Sequence, residues 1–284
     1  MSKTSSKNNK DFKEIQAYWT KERRDKAIPK PLPKLPDDGE IAEQSTTTRR
    51  PTFTPPDTSI KDENDDQSLN GKLAKPVNSP ENLPWRCNGK LFFTWKGDNY
   101  VGSAGAILLE VLLTAGHNVF DEGEWSDNFY YYPAYPDYGK SWGWKRASVF
   151  TAWQYDANYA YDYAMILTDT SMKDIGSIGC VRDLAPKDRT WTAIGYPSRM
   201  PYPGDQMYKT TGNYIAGDSI ITMDNNDMTK GSSGGVWLTD FEGVMCVNGI
   251  QSTRGGVPEY ANSPYIANND YEKLLKCVTM DECK

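Results

Sequence analysis

At 284 residues the chain is long enough for one large domain or two small ones. Its formal net charge of −6, with a pI of about 5.0, argues against nucleic-acid binding through a basic surface. The longest apolar run, residues 104–115, is interrupted by Glu110 and falls short of the ~18 residues that a membrane-spanning helix needs. Eighteen Tyr and nine Trp beside one His predict a β-rich globule packed by aromatic side chains.

Residues 1–84 differ in composition from the rest and are predicted to form a partly disordered N-terminal extension. Residues 11–27 predict a short helix with an apolar side. That side carries Phe12, Ile15, Tyr18 and Trp19. The prolines between residues 29 and 36 predict an extended stretch. Residues 45–83, rich in Thr, Pro, Asp and Asn, predict a solvated linker or a segment that becomes ordered only on contact.

From residue 85 onward, short β-prone runs recur with turn residues between them. They cover residues 91–95, 99–103, 106–109, 111–115, 129–132, 148–153 and 163–167, then 190–194, 207–214, 219–223, 236–238 and 244–251. This spacing is typical of an all-β sandwich or a pair of barrels. The aromatic tract 129–144 indicates core and loop packing, with a peptide-binding groove as the alternative. Near the C-terminus, Asn269 and Glu272 predict a capping box that opens a last helix to about residue 277.

One stretch combines a serine, glycines and a following apolar run: Gly231-Ser232-Ser233-Gly234-Gly235. Glycines at such a turn allow a substrate to approach and let peptide N–H groups face one point. A serine hydroxyl needs a base to become a nucleophile, and the single histidine of the chain, His117, could supply it. Asp162, which opens an apolar run, is the candidate third member of the group.

The order of these residues in the chain separates two fold classes. In α/β-hydrolases the histidine follows the serine, and here no histidine follows Ser233. The order His117, Asp162, Ser233 is that of the chymotrypsin type. The sequences Thr-Ala-Gly-His, Asp-Tyr-Ala-Met-Ile and Gly-Ser-Ser-Gly-Gly resemble the three signature blocks of trypsin-like serine peptidases. The chain is most similar to the bacterial and fungal branch related to glutamyl endopeptidases, over about residues 85–276.

The resemblance implies an all-β, chymotrypsin-like fold: two antiparallel six-stranded β-barrels and a C-terminal helix, in a peptidase domain at residues 85–284. His117 and Asp162 from the first barrel would meet Ser233 from the second. Ser233 would attack the scissile carbonyl, His117 would transfer its proton, and Asp162 would orient the imidazole. The N–H groups of Gly231 and Ser233 would form the oxyanion hole. Neither a metal nor an organic cofactor is implied.

The residues that set substrate preference are less clearly marked. Asp227 lies six positions before Ser233, where trypsin has the aspartate that binds Arg or Lys, so the sequence favours a cationic side chain. Lys230 and Arg254 near the same mouth would attract acidic side chains instead. Glutamyl endopeptidases carry a histidine near the position of Gln251. An exposed loop position is the alternative for Asp227.

Two further serines stand at positions that the family uses. Ser252 resembles the serine that lines the cleft and reaches the triad carboxylate, with a plain edge-strand serine as the alternative. Ser232 occupies the place of the aspartate that binds the new N-terminal amine of trypsin, so that mode of activation is not expected. Residues 17–23 resemble a pro-region segment. Residues 1–84 are therefore predicted to be a possible pro-segment that docks by its aromatics and covers the cleft.

Five cysteines make an odd number, and their scatter beside a single histidine argues against a metal site. Family members usually have a disulfide at positions matching Gly102 or Ser103 and Asn118, and its loss is compatible with a reducing compartment. Cys277 and Cys283 could still pair. With no apolar leader at the N-terminus, cytoplasmic folding is favoured, with a secreted or delivered protein as the alternative.

Together these features predict a serine endopeptidase that is made as a latent precursor and hydrolyses proteins or peptides through an acyl-enzyme. No nucleic acid or membrane is expected as a partner. The alternative is a catalytically silent peptidase fold that binds partners through its N-terminal segment or aromatic surface. An esterase with the same three residues is a further possibility.

Overall fold

The computed structural model describes residues 3–35, 50–57, 73–255 and 260–283. The strands of the N-terminal extension are β1 (Lys3–Lys7), β2 (Ile28–Pro29), β3 (Thr52–Thr54) and β4 (Lys75–Pro76). Those of the first half of the remaining chain are β5 (Asn88–Trp95), β6 (Asp98–Leu108), β7 (Val111–Thr114), β8 (Phe120–Asp121), β9 (Glu124–Trp125), β10 (Asp127–Pro133), β11 (Trp144–Phe150) and β12 (Ala164–Thr168).

The second half contains β13 (Cys180–Arg182), β14 (Thr190–Gly195), β15 (Tyr208–Ala216), β16 (Ile220–Met223), β17 (Val236–Phe241), β18 (Val244–Ile250), β19 (Thr253–Gly255) and β20 (Tyr260–Pro264). The α-helices are α1 (Phe12–Tyr18), α2 (Lys21–Asp25), α3 (Gly116–Val119), α4 (Thr151–Asp156) and α5 (Asn268–Met280).

The first barrel is an antiparallel sheet in the order β11-β12-β7-β6-β5-β10. It closes where the backbones of Tyr131 and Trp142 exchange hydrogen bonds of 2.8 and 2.9 Å. Alternate side chains of these strands face inward, as expected for β-branched and aromatic runs. The core includes fully buried Phe93 and Ile166. Most of the aromatic tract lies in this core.

The second barrel continues from β13 to β20, in the order β19-β20-β16-β15-β14-β17-β18-β13. Trp191 and Trp237 pack in it with ring centroids 5.9 Å apart. The two barrels abut where β6 meets the start of β17, because Gly105 lacks the Cβ that would lie 2.6 Å from Val236. The predicted all-β class, with two curled antiparallel sheets and a C-terminal helix, is confirmed.

The N-terminal extension adds strands to both sheets. β1 pairs with β11 and β2 with β6 in the first sheet, whereas β3 pairs with β13 and β4 with β15 in the second. The prediction of a single helix over residues 11–27 is wrong. The segment forms the two helices α1 and α2, because the Thr20 side chain caps α2 by accepting the N–H of Arg23. The linker predicted over residues 45–83 lies partly outside the described residues.

Aromatic side chains attach the extension to the first barrel. Trp19 is fully buried, donates from Nε1 to the Asn128 carbonyl at 2.6 Å and packs on Phe92. Tyr18 Oη donates to Asn99 Oδ1 at 2.7 Å. Of the apolar side that the sequence marks, Ile15 and Trp19 are buried against the first barrel, and Phe12 and Tyr18 are half-buried there.

The last helix, α5, begins before the predicted capping box. Its N-cap is Ala267, and the first helical N–H, of Asn268, is satisfied by Asp183 Oδ1 at 3.2 Å. The capping-box prediction is wrong because a residue from another element caps this helix. Cys277 and Cys283 form a disulfide at its C-terminal end. No helix within the described ranges is long and apolar enough to cross a membrane.

Candidate active site

His117 and Asp162 are brought together by two neighbouring strands. β7 and β12 pair so that Thr114 lies opposite Ala164. His117 follows β7 at the first turn of α3, and Asp162 precedes β12. Gly116 permits the close approach, since a Cβ there would lie 2.9 Å from Asp162 Oδ1.

The carboxylate of Asp162 holds the histidine at two points. Its Oδ2 lies 2.8 Å from His117 Nδ1, and its Oδ1 accepts the backbone N–H of His117 at 2.8 Å. Both residues are fully buried. The carboxylate therefore favours the imidazole tautomer with its proton on Nδ1, which leaves Nε2 free to accept a proton.

Ser233 comes from the second barrel and meets the other side of the imidazole. Its Oγ is hydrogen-bonded to His117 Nε2, and its carbonyl accepts the N–H of Ser103 at 2.7 Å across the junction of the barrels. Gly234 has a φ of +82°, and a Cβ there would lie 2.1 Å from Thr114 Oγ1. A glycine is thus required for the turn that directs Ser233 at His117.

Asn118 belongs to this site, although the sequence did not mark it as a site residue. Its Oδ1 lies 3.2 Å from Ser233 Oγ, and its Nδ2 donates to the Ser233 carbonyl at 3.0 Å. A Cβ on Gly102 would lie 2.7 Å from Asn118 Nδ2. The two positions that match the family disulfide therefore face each other, and the Asn118 amide links them to the serine. Its place directly after the histidine was the available signal.

The two other marked serines differ in what they contact. Ser252 Oγ donates to Asp162 Oδ2 at 2.5 Å, so the carboxylate accepts a hydrogen bond from the second barrel as well. Ser232 Oγ donates to the Thr229 carbonyl at 2.6 Å and is fully buried. The Ser232 hydroxyl is neutral, and its hydrogen bond is made within the turn.

The backbone N–H groups of the turn around Ser233 have acceptors in two different parts of the chain. Those of Ser232, Gly234 and Gly235 donate to carbonyls of the second barrel. The N–H of Gly231, which has a φ of +91°, donates to the carbonyl of Lys30 at 3.1 Å. A carbonyl of the N-terminal extension therefore contacts one of the two donors of the expected oxyanion hole.

The extension makes a second backbone contact with the cleft, beyond Lys30. Pro33 accepts the N–H of Arg254 at 3.0 Å, and the N–H of Leu35 donates to the Arg254 carbonyl at 2.9 Å. On the other side, the N–H of Lys30 donates to Val101 at 2.8 Å. Residues 30–35 thus bridge β6 and β19 on either side of the turn that carries Ser233.

The three charged residues expected to set the substrate side-chain preference lie in different surroundings. Asp227 is half-buried; one carboxylate oxygen accepts from Tyr202 Oη and the other from the N–H of Ala74 at 2.9 Å. It is thus not an exposed loop residue. The Arg254 guanidinium donates to the Asn226 and Met228 carbonyls at 2.9 and 3.0 Å, and Lys230 is exposed.

Gln251 is fully buried, and the two ends of its amide differ in their surroundings. Its Oε1 accepts from Trp237 Nε1 at 3.2 Å and from Asn226 Nδ2 at 2.8 Å. The Asn226 amide is itself oriented, because its Oδ1 accepts the N–H of Met228. Gln251 Nε2 therefore has to point away from these groups, and no hydrogen-bond partner for it lies among the described residues.

The geometry supports one type of chemistry. A hydroxyl, an imidazole and a carboxylate lie in a hydrogen-bonded series, which is the arrangement that activates a serine for attack on a carbonyl. In the parts of the chain that the structure covers, no group of three or more His, Cys, Asp or Glu side chains could hold a metal ion.

No protein-family model and no curated protein matches the chain, but solved structures do. The protease Anisep from Arthrobacter nicotinovorans is 26% identical with a TM-score of 0.59, over 66% of this chain and 93% of its own. The thermostable serine protease AL20, from an extremophilic microorganism, is 25% identical with a TM-score of 0.55, over 66% and 94%. A Glu endopeptidase in complex with MPD is 17% identical with a TM-score of 0.63, over 76% and 99%, which shows likeness of fold alone.

The chain therefore has a protease fold of the trypsin-like class. Within that class its fold is related to those of bacterial serine proteases and glutamyl endopeptidases.

Proposed function

We propose that this protein is a serine endopeptidase that cleaves peptide bonds through an acyl-enzyme. The observation that carries the proposal is the hydrogen-bonded series from Ser233 Oγ through the His117 ring to the Asp162 carboxylate. A chain that served only as a scaffold would have no need of a buried imidazole held between a hydroxyl and a carboxylate. The serine proteases with the same fold support the proposal.

In the proposed mechanism His117 Nε2 takes the proton of Ser233 as its Oγ attacks the carbonyl, and then protonates the leaving amine. Asp162 stabilises the imidazolium that forms. Ser252 donates to the same carboxylate and acts through it as a positioning residue. The oxyanion is stabilised by the N–H groups of Gly231 and Ser233, and losing one such donor typically costs ~3 kcal/mol of barrier.

We also propose that the protein is latent while residues 30–35 lie in the cleft. The Lys30 carbonyl accepts from Gly231 N–H, so a substrate carbonyl has to displace it to reach this donor. The complete burial of His117 and Ser233 supports the same view. Activation would require this segment to leave the cleft.

The segment does not bind as a substrate would. If Lys30 were the residue under attack, its side chain would point towards Gln251 and Arg254, which the sequence places among the residues that set substrate preference. Instead its ammonium lies 2.8 Å from Asp121 Oδ2, close to the element that carries His117. We infer that the segment covers the site without presenting a scissile bond in productive geometry.

For the residue whose carbonyl is attacked, we propose a side chain that carries a hydrogen-bond acceptor, such as Glu or Gln. Gln251 Nε2 is a buried donor without a partner in the described part of the chain, and such a group is costly until a ligand satisfies it. The nearby Arg254 guanidinium favours the acidic member of this pair. Asp227 already accepts one hydrogen bond on each carboxylate oxygen, which weakens the case for a cationic side chain.

The test is covalent labelling with a fluorophosphonate. Ser233 is expected to be modified in the folded chain, slowly while the cover is closed, and modification is expected to be lost in Ser233→Ala and after unfolding. Complete absence of labelling in a variant with a displaced cover would instead support a binding module. Labelling with turnover of esters but of no peptide in a diverse library would support an esterase.

A further inference from the structure

Lys30 fills a pocket made by the first barrel. Its side chain is 3% exposed, and its ammonium lies 2.8 Å from Asp121 Oδ2. The same nitrogen stands over the ring of Trp95 at 3.6 Å from the centroid and 5.2 Å from that of Tyr100. A carboxylate and two aromatic faces converge on one cation, which is the arrangement that proteins use to bind ammonium groups.

The position of this pocket in the cleft is fixed by neighbouring contacts. The carbonyl of Lys30 meets Gly231 N–H, so its side chain leaves the backbone directly beside the turn that carries Ser233. Asp121 ends β8, which directly follows the helix that carries His117. Because His117 has to protonate the leaving amine, the pocket lies on the leaving-group side of the site.

We propose that this pocket is a substrate subsite for a cationic side chain, Lys or Arg, located one or two residues after the cleaved bond. The proposal rests on the proposed peptidase function and deepens it. In the covered state Lys30 occupies the subsite from within the chain. When residues 30–35 leave, Asp121, Trp95 and Tyr100 form an acidic, aromatic-walled pocket that a substrate cation fills in the same way.

Surrounding charges support a cation rather than an anion. Burial is the largest influence on the Lys30 amine and lowers its pKa; among the neighbouring charges Asp121 and Glu122 raise the pKa, and Lys96 lowers it. Lys96 is itself paired with Glu122 at 2.7 Å. The net charge of Asp121, Glu122 and Lys96, which surround the pocket, is therefore negative. A neutral or acidic side chain there would leave the Asp121 carboxylate, which is 26% exposed with Lys30 in place, without its cationic partner.

The first test measures binding and does not depend on catalysis. A fluorescent peptide of residues 27–35 is added to the full chain carrying Lys30→Glu and Ser233→Ala, whose own segment is repelled by Asp121. Acetylation of Lys30 in the peptide removes the charge and keeps most of the shape; acetylation of the exposed Lys34 is the matched control. By fluorescence anisotropy, we expect the peptide acetylated at Lys30 to bind at least about tenfold more weakly than the unmodified peptide. Acetylation at Lys34 is expected to change the affinity by no more than about twofold.

Equal binding of the two acetylated peptides, or no binding of the unmodified peptide, would overturn the subsite. Because the change is made in the peptide, the fold of the protein is untouched. The second test digests a peptide library with the Lys30→Glu chain and with the same chain carrying Asp121→Asn. With the Lys30→Glu chain, we expect Lys and Arg to be enriched about tenfold at the positions after the cleaved bond. With the chain that also carries Asp121→Asn, we expect that enrichment to be lost.

The two tests separate this subsite from the peptidase proposal. Charge-dependent peptide binding without labelling of Ser233 would retain the subsite and reject the peptidase. Library cleavage whose products show no preference after the cut would retain the peptidase and reject the subsite.

Discussion

Reversing the charge of Lys30 is predicted to open the cleft of the intact chain. In Lys30→Glu the ion pair to Asp121 becomes a repulsion, and the cation over Trp95 is lost. The backbone contacts of residues 33–35 with Arg254 remain, so the segment stays tethered while its central anchor is removed.

The size of the effect follows from the burial of the pair. The side chains of Lys30 and Asp121 are 3% and 26% exposed, so solvent screens their interaction only weakly. A hydrogen bond between charged groups in such a setting contributes ~2 kcal/mol. Its loss is expected to raise the fraction of open molecules by roughly 30-fold, and the labelling rate of Ser233 in proportion.

The assay is the second-order rate of fluorophosphonate labelling of the full-length protein, read by intact mass. The matched control is Lys26→Glu, which makes the same charge change in the same extension at an exposed pair with Glu22. It is expected to change the rate by less than about twofold, because exposed pairs contribute little. A labelling rate in Lys30→Glu equal to that of the control would refute the claim that Lys30 anchors the cover.

Three further predictions concern other residues. Ser252→Ala, in the charge-reversed background, is expected to lower the labelling rate about tenfold, because Asp162 loses a buried hydrogen bond; an unchanged rate would contradict its positioning role. Burial lowers the pKa of Lys90 to about 8, below its unfolded value, so its cost to stability is complete below pH 8 and fades towards pH 10.5. Lys90→Met should therefore be more stable than wild type by ~3 kcal/mol at pH 7, with the difference disappearing as the pH of urea titrations is raised; a pH-independent difference would count against this. Trp19→Ala is expected to cost ~3 kcal/mol of unfolding free energy in the same titrations, whereas Tyr155→Ala, at 74% exposure, should change it by less than ~0.5 kcal/mol.

Strands were predictable from the sequence where apolar residues alternate between turn signals. The structure extends them at their ends, as in β6, where two predicted runs form one strand of 11 residues. Residues 148–153 were predicted to continue as a strand, but the chain turns into α4 after Phe150. The Trp153 indole donates to the Phe120 carbonyl at 2.7 Å, a long-range contact that local propensity does not contain.

At the site, residue type and chain order were enough to mark His117, Asp162 and Ser233, because few residues can supply a base and a nucleophile. They were not enough to mark Asn118, Lys30 or Asp121. The roles of these three depend on contacts between segments far apart in the chain, such as the carbonyl of Lys30 on Gly231. A proline-rich stretch indicates extended backbone, but not the surface on which it lies.

The most direct test of the central claim is to locate the phosphonate adduct by peptide mapping in the Lys30→Glu chain. We expect one adduct per molecule, on Ser233, that is lost in His117→Ala although this variant remains folded by circular dichroism. An adduct that forms equally well without the imidazole, or that sits on another serine, would contradict the claim that His117 activates Ser233.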